Sequence, residues 1–126
     1  MTMVLVDTSV WVGHFREHNP ALLELMVTDK VLGHPMVFGE IACGTPPNRA
    51  EVLANLRRLQ PAQQASMNEV VEFISRESLF GKGCGLVDIT LLASTLMTPG
   101  AELWSWDKRL AGLGQRFGVL HQQAMH

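Results

Sequence analysis

The sequence is short of several things, and each shortage removes a class of protein. Its 126 residues hold two cysteines, Cys43 and Cys84, in neither a C-x-x-C nor a zinc-type spacing. That excludes a disulfide framework or a cysteine-built metal site, and leaves two reduced, packed thiols as the expectation. No apolar run approaches the roughly 20 residues that span a bilayer, so no membrane is expected. The opening Met1-Thr2-Met3-Val4-Leu5-Val6-Asp7 has no basic stretch, and Asp7 interrupts its apolar residues. It does not read as a secretory signal, and the cytoplasm is the expected location. Repeats and low-complexity segments are absent, and a hydrophobic content of 47% argues against disorder. The one glycine-dense stretch, Gly81-Lys82-Gly83-Cys84-Gly85, is no Walker-type phosphate loop. Such a loop needs Gly five residues before its Gly-Lys pair and Ser or Thr after it, where this chain has Arg76 and Gly83.

What is present reads as one domain over residues 1–126, large enough to bury roughly two-thirds of its extended surface. Short apolar runs alternate with helical patterns, the mark of an α/β fold with a parallel sheet. Met3–Val6 reads as a buried strand, and Thr8 or Ser9 as the cap of a helix from about Val10 to His18, stopped by Asn19-Pro20. Further helices are expected over Ala21–Val27, Met36–Cys43, Ala50–Leu59, Met67–Leu79, Leu86–Met97 and Lys108–Phe117. Strands are expected at Val31–Gly33, near Leu59-Gln60, at Glu102–Trp106 and at Gly118–Leu120. In the fifth of these helical stretches Met67, Val70, Val71, Ile74 and Leu79 mark a core face, and Leu86–Met97 is apolar on nearly every side, as a buried helix is.

The chemistry lies in four acids. Asp7 and Asp107 follow strands, at the sheet edge where parallel sheets bind ligands. Asp88 opens the buried helix, and Glu40 sits among Val37, Phe38, Ile41 and Ala42, company in which a charge is costly unless paired or metal-bound. Singly, the acids read as helix caps or, for Glu40, as a solvated face. Together they can converge, and converging carboxylates ask for a cation with a taste for oxygen, Mg²⁺ or Mn²⁺. Such an ion suits phosphodiester hydrolysis. The net charge is −2, but without these four acids 8 remain against 10 Lys and Arg, a surplus of +2. A negative pocket in a mildly positive surround suits an approach to phosphates.

Asp7-Thr8-Ser9-Val10-Trp11, Glu40, Leu86-Val87-Asp88-Ile89 and Leu103-Trp104-Ser105-Trp106-Asp107-Lys108-Arg109 occur in the order of a PIN domain. Size and opening resemble the VapC toxins of toxin–antitoxin pairs, over essentially the whole chain. Each motif is short, and the specificity lies in the ordered set. The resemblance implies a three-layer α/β/α sandwich with a short, mainly parallel sheet. It also implies a Mg²⁺- or Mn²⁺-dependent endoribonuclease, a VapB-like antitoxin partner and a homodimer. The family's acids carry over to Asp7, Glu40, Asp88 and Asp107, with Asp7, Asp88 and Asp107 as metal ligands and Ser9 and Ser105 as supporting hydroxyls. One departure is Arg109, which stands where many relatives carry a further acid, so the resemblance does not extend to a complete second metal site.

Lys82, Lys108 and Arg109 are candidate RNA contacts. Trp106 can stack on a base, although core packing is the commoner fate of a strand Trp and the one expected. Trp11 and Phe15, four residues apart on one helical face, are candidate anchors for an antitoxin, or simply pack against the sheet. Two other readings compete. His14-Phe15-Arg16-Glu17-His18 spells the H-x-x-E-H of inverted zinc proteases, but Asn19-Pro20 leaves its second His on a frayed turn, so two helix-surface histidines are expected. A catalytically silent PIN-like module that binds RNA or a partner is the other, against which stand all four acids. Phosphoryl-transfer aspartates do not fit: Asp7-Thr8-Ser9 lacks both the neighbouring acid of receiver domains and the Asp-x-Asp of haloacid-type phosphatases.

Overall fold

In the computed structural model, which describes residues 2–122, four strands form one parallel sheet. They are β1 (Met3–Val6), β2 (Val31–Gly33), β3 (Gln60–Pro61) and β4 (Ala101–Trp104), in the order β3-β2-β1-β4. Between and after them run α1 (Thr8–Arg16), α2 (Pro20–Val27), α3 (Pro35–Ala42), α4 (Arg49–Arg57), α5 (Met67–Arg76), α6 (Leu86–Met97) and α7 (Lys108–Arg116). The chain steps from β1 to one edge of the sheet and then crosses to β4 at the other. Right-handed crossovers put the helices of those two legs on opposite faces. The packing agrees: α3 packs against both α1 and α4, and α6 against both α5 and α7. The fold is thus the α/β arrangement of a PIN domain. The single-domain expectation also covered residues 1 and 123–126, which lie outside the described residues.

Sequence chemistry explains where these elements start. Asn19 accepts from the Leu22 N–H and Pro20 takes the first helical position, so Asn19-Pro20 opens α2 more than it stops α1. Helix α1 ends earlier than expected, at Arg16, with Glu17 extended. Ser66 and Glu69 close a reciprocal capping box on α5. Of the expected core face Val70 and Leu79 are buried and Ile74 is half-buried against the core, while Met67 and Val71 are exposed and Phe73, not among those expected, is buried instead. Helix α6 has the expected bounds and is buried from Ile89 to Thr95. The expected strand Gly118–Leu120 reduces to a single bridge from Leu103 to Leu120. No helix among the described residues is long and apolar enough to cross a membrane.

Candidate active site

The site lies at the C-terminal edge of the sheet. Asp7 follows β1 directly and is the N-cap of α1, the role expected of Thr8 or Ser9. It is buried, yet its Oδ2 is well provided: Ser9 Oγ donates at 2.7 Å, Ser105 Oγ at 2.8 Å and the Ser9 N–H at 3.4 Å. Each hydroxyl in turn accepts a backbone N–H, Ser9 Oγ from Trp106 at 3.0 Å and Ser105 Oγ from Asp107 at 3.0 Å. The two serines therefore tie the end of β1 to the chain leaving β4 and fix one oxygen of Asp7, leaving Oδ1 to face an external partner. No buried side-chain oxygen or nitrogen among the described residues lacks a hydrogen-bond partner.

Asp107 caps α7, its Oδ1 accepting from the Arg109 N–H at 2.9 Å and the Leu110 N–H at 3.0 Å. Asp88 stands in the first turn of α6, where its Oδ2 accepts the Gly85 N–H at 3.3 Å. Three of the four acids thus act as helix-terminal acceptors. Burial raises the Asp88 pKa, the Gly85 bond opposes that, and the charges of Asp7, Asp107 and Glu40 raise it further. At Asp88 the charges of the other three acids are felt together.

Glu40 corrects the sequence reading. It is exposed, because Val37 and Ile41 take the buried side of α3, so apolar company does not force it to bind a cation. It still belongs to the site, accepting the Thr8 Oγ1 proton at 2.6 Å directly beside Asp7. Thr8 is a site residue that sequence reasoning passed over, although its place between Asp7 and Ser9 was a signal. Cys84 is another. Its thiol is pushed up by burial and then by Asp88 and Asp107, with Arg109 opposing. Both cysteines are free, but Cys43 is exposed and not packed as expected.

Among the described residues no three of His, Cys, Asp and Glu are gathered closely enough to hold a metal ion as they stand. The donor set nevertheless suits Mg²⁺ or Mn²⁺: the four acids offer only carboxylate oxygens, and their mutual repulsion at Asp88 is what a cation relieves. Mg²⁺ keeps several waters and takes one or two carboxylates directly, so acids that stand apart within a common field fit a hydrated ion.

The expected peripheral residues divide. Lys82, Lys108 and Arg109 are all exposed, and the Arg109 guanidinium lies over Gly83, donating to its carbonyl at 3.4 Å. Trp106 is 50% exposed, which overturns the expectation of core packing; Trp104 is the buried indole, at 3%. Trp11 is buried and stacks on the half-buried Phe15 at 6.1 Å between ring centroids. Both line a groove of about 240 Å³ with His14, Met26, Val52 and Leu59. His14 is buried and not a surface residue as expected. Its Nδ1 accepts the Asn19 N–H at 2.9 Å, and its pKa is lowered by burial and then by His18. With that nitrogen taken and Glu17 off the helix, the H-x-x-E-H stretch has no zinc-protease geometry.

A parallel four-stranded sheet between helices, with acids at its C-terminal edge, defines the class: a PIN-like α/β domain. No family model matches the chain. It is similar to two curated proteins named Ribonuclease VapC32, from Mycobacterium tuberculosis strains CDC 1551 / Oshkosh and ATCC 25618 / H37Rv. Each is 40% identical over 117 residues, which cover 93% of this chain and 94% of the relative. The chain belongs to the VapC family of PIN-domain toxins.

Proposed function

We propose that this chain is a divalent-metal-dependent endoribonuclease, the toxin of a toxin–antitoxin pair, with Asp7, Glu40, Asp88 and Asp107 as its working acids. What supports this reading is membership of the VapC family, joined to the Ser9 and Ser105 bridge that ties Asp7 to the chain leading into Asp107 at the C-terminal edge of the sheet. Mg²⁺ or Mn²⁺ bound there supplies charge neutralisation on the phosphodiester and acidifies the attacking water. Asp7, Asp88 and Asp107 would hold the ion. Ser9 and Ser105 keep the Asp7 carboxylate oriented. Glu40, hydrogen-bonded and exposed, is placed to accept a proton from water at the rim. Lys82, Lys108 and Arg109 contribute positive charge where the RNA backbone approaches.

The partner of the toxin is a small VapB-like antitoxin. Its apolar segment occupies the groove at Trp11 and Phe15. A second groove begins at Phe15 and Pro47 and leads to Glu40, a path along which an antitoxin Arg or Lys reaches the acids and displaces the metal by binding carboxylate. The toxin pairs as a homodimer. The test is expression of this chain with and without the neighbouring small reading frame, together with RNA cleavage by the purified protein. Growth arrest occurs only without the partner and disappears with Asp7→Asn. A chain that is harmless alone and cuts no RNA returns the protein to the class of silent binding modules.

A further inference from the structure

Trp106 is the residue the fold leaves least explained. A large aromatic side chain half in water is an informative exception to burial, and this one sits between Ser105, which bonds Asp7, and Asp107. Its mounting is rigid. The Trp106 N–H donates to Ser9 Oγ at 3.0 Å, so the backbone that bears the ring is tied to the acid network. The ring itself is seated on α1 at Gly13. A Cβ on Gly13 would lie 2.2 Å from Trp106 Cζ3, and 3.0 and 3.1 Å from the flanking Cη2 and Cε3. A side chain met face-on would put those flanking atoms much nearer the 2.2 Å of Cζ3; the longer, near-equal distances mean that the ring meets the glycine by its edge. Trp104 stands perpendicular to it, at 86° and 6.4 Å. An indole held by its edge keeps its π-surface available. Ser9, one turn before Gly13 on α1, bonds Asp7, so the ring is seated one helical turn from the acid network, and Lys108 and Arg109, which follow Asp107 in the chain, are exposed cations.

We infer that Trp106 is a stacking platform for an unpaired RNA base next to the phosphate that is cut, and that Gly13 is the positioning residue that allows the ring its place. This rests on the ribonuclease reading and adds to it a residue that seats a base beside the cut. A base can lie on an exposed indole only when it is unstacked from its own helix, so the RNA is single-stranded or looped at the cut, and a duplex of the same sequence resists. Stacking of a base on an aromatic ring is worth roughly 5- to 140-fold in affinity by alanine substitution.

The experiment uses the full chain and a set of short single-stranded RNA oligonucleotides. Affinity is read in every variant from the anisotropy of a labelled oligonucleotide; because Trp11 and Trp104 are buried, quenching of wild-type tryptophan fluorescence by RNA reports mainly on Trp106. Wild type is expected to be quenched, Trp106→Phe to keep most of the affinity, and Trp106→Ala to lose it by a factor in the range given. Gly13→Ala removes no site group and raises helix propensity, so its fold survives while its Cβ drives the ring aside. It is expected to follow Trp106→Ala in affinity. An abasic nucleotide is then moved along the oligonucleotide. At one position beside the cut it is expected to erase the difference between wild type and Trp106→Ala. Equal binding and cutting by wild type and Trp106→Ala overturns the inference, as does a deficit that no abasic position removes. A Trp106→Ala protein whose sedimenting mass falls while RNA binding holds assigns the indole to a protein interface and overturns it too. If wild type binds and is quenched by RNA but cuts none, the ribonuclease reading fails while the platform stands. If no RNA quenches it, the platform fails whether or not cleavage occurs.

Discussion

Replacing Asp7 separates what the acid does for the fold from what it does for chemistry. In Asp7→Ala, α1 loses its cap, at a cost of about 1 kcal/mol. The hydroxyls of Ser9 and Ser105 lose the acceptor they share. Leaving a buried donor unmatched costs about 1–3 kcal/mol; Ser105 is buried and stands at the upper end, while Ser9 is half-buried and stands lower. The sum is about 3–5 kcal/mol, against a total of roughly 6–19 kcal/mol expected of a chain this long. In Asp7→Asn the amide oxygen can stay where Oδ2 was, so cap and hydroxyl bonds persist as weaker neutral bonds. Loss of one negative charge from the cluster offsets part of that, and a net cost below about 2 kcal/mol follows. With a urea slope of about 2 kcal/mol/M, the Ala variant unfolds at a midpoint roughly 2 M lower and the Asn variant within about 1 M of wild type. RNA cleavage falls by at least about a hundredfold in both, on the scale of losing one preorganised electrostatic group. An Asn variant as unstable as the Ala variant would refute this reasoning, since the charge itself would then hold the network together.

Two further outcomes are expected. In metal-free protein Asp88→Asn raises the urea midpoint at neutral pH, because the folded state raises the pKa of that carboxyl and so disfavours its ionised form; an unchanged or lower midpoint contradicts the assigned repulsion. The buried His34 caps α3 through Nδ1, which accepts the Met36 N–H at 3.0 Å, while Nε2 lies 2.9 Å from Ser94 Oγ. Burial lowers its pKa below 6.5, so between that lowered value and 6.5 the unfolded chain holds more protons than the folded one. Stability is therefore complete above pH 6.5 and lost as the pH falls through the folded value, by up to about 1.4 kcal/mol per pH unit. Urea midpoints from pH 7.5 to 5 are expected to fall less steeply in His34→Asn, which keeps a capping oxygen and cannot titrate; equal slopes would exclude His34 as the source.

The fold was legible where one local rule acted alone. The apolar run Met3–Val6 could only be a buried strand, and Leu86–Met97, unbroken by Gly or Pro, appears with the expected bounds. Errors arose where a residue serves two elements. Asn19-Pro20 mainly starts α2, because a capping Asn and an N1 Pro are start signals that outrank Pro as a breaker, and α1 has already ended at Arg16. Glu40 was judged by its sequence neighbours, but on a helix those neighbours point elsewhere and the acid is exposed. Trp106 was counted into a strand that stops at Trp104, which reversed its burial. That Asp7 and Asp107 share the C-terminal edge of the sheet could be argued from the parallel strands they follow. The double bridge of Ser9 and Ser105 could not, since it depends on the register of β1 against β4, which no local pattern encodes.

The most direct test of the four-acid site is RNA cleavage followed through one metal cycle. Purified protein is stripped with EDTA, then titrated with Mg²⁺, Mn²⁺ or Zn²⁺ against a labelled single-stranded RNA, with Asp88→Asn in parallel. The expected result is no cleavage after EDTA, full recovery with Mg²⁺ or Mn²⁺ in wild type, and none in Asp88→Asn at any metal concentration. Cleavage that survives EDTA, or that Asp88→Asn retains at the wild-type rate, contradicts the account.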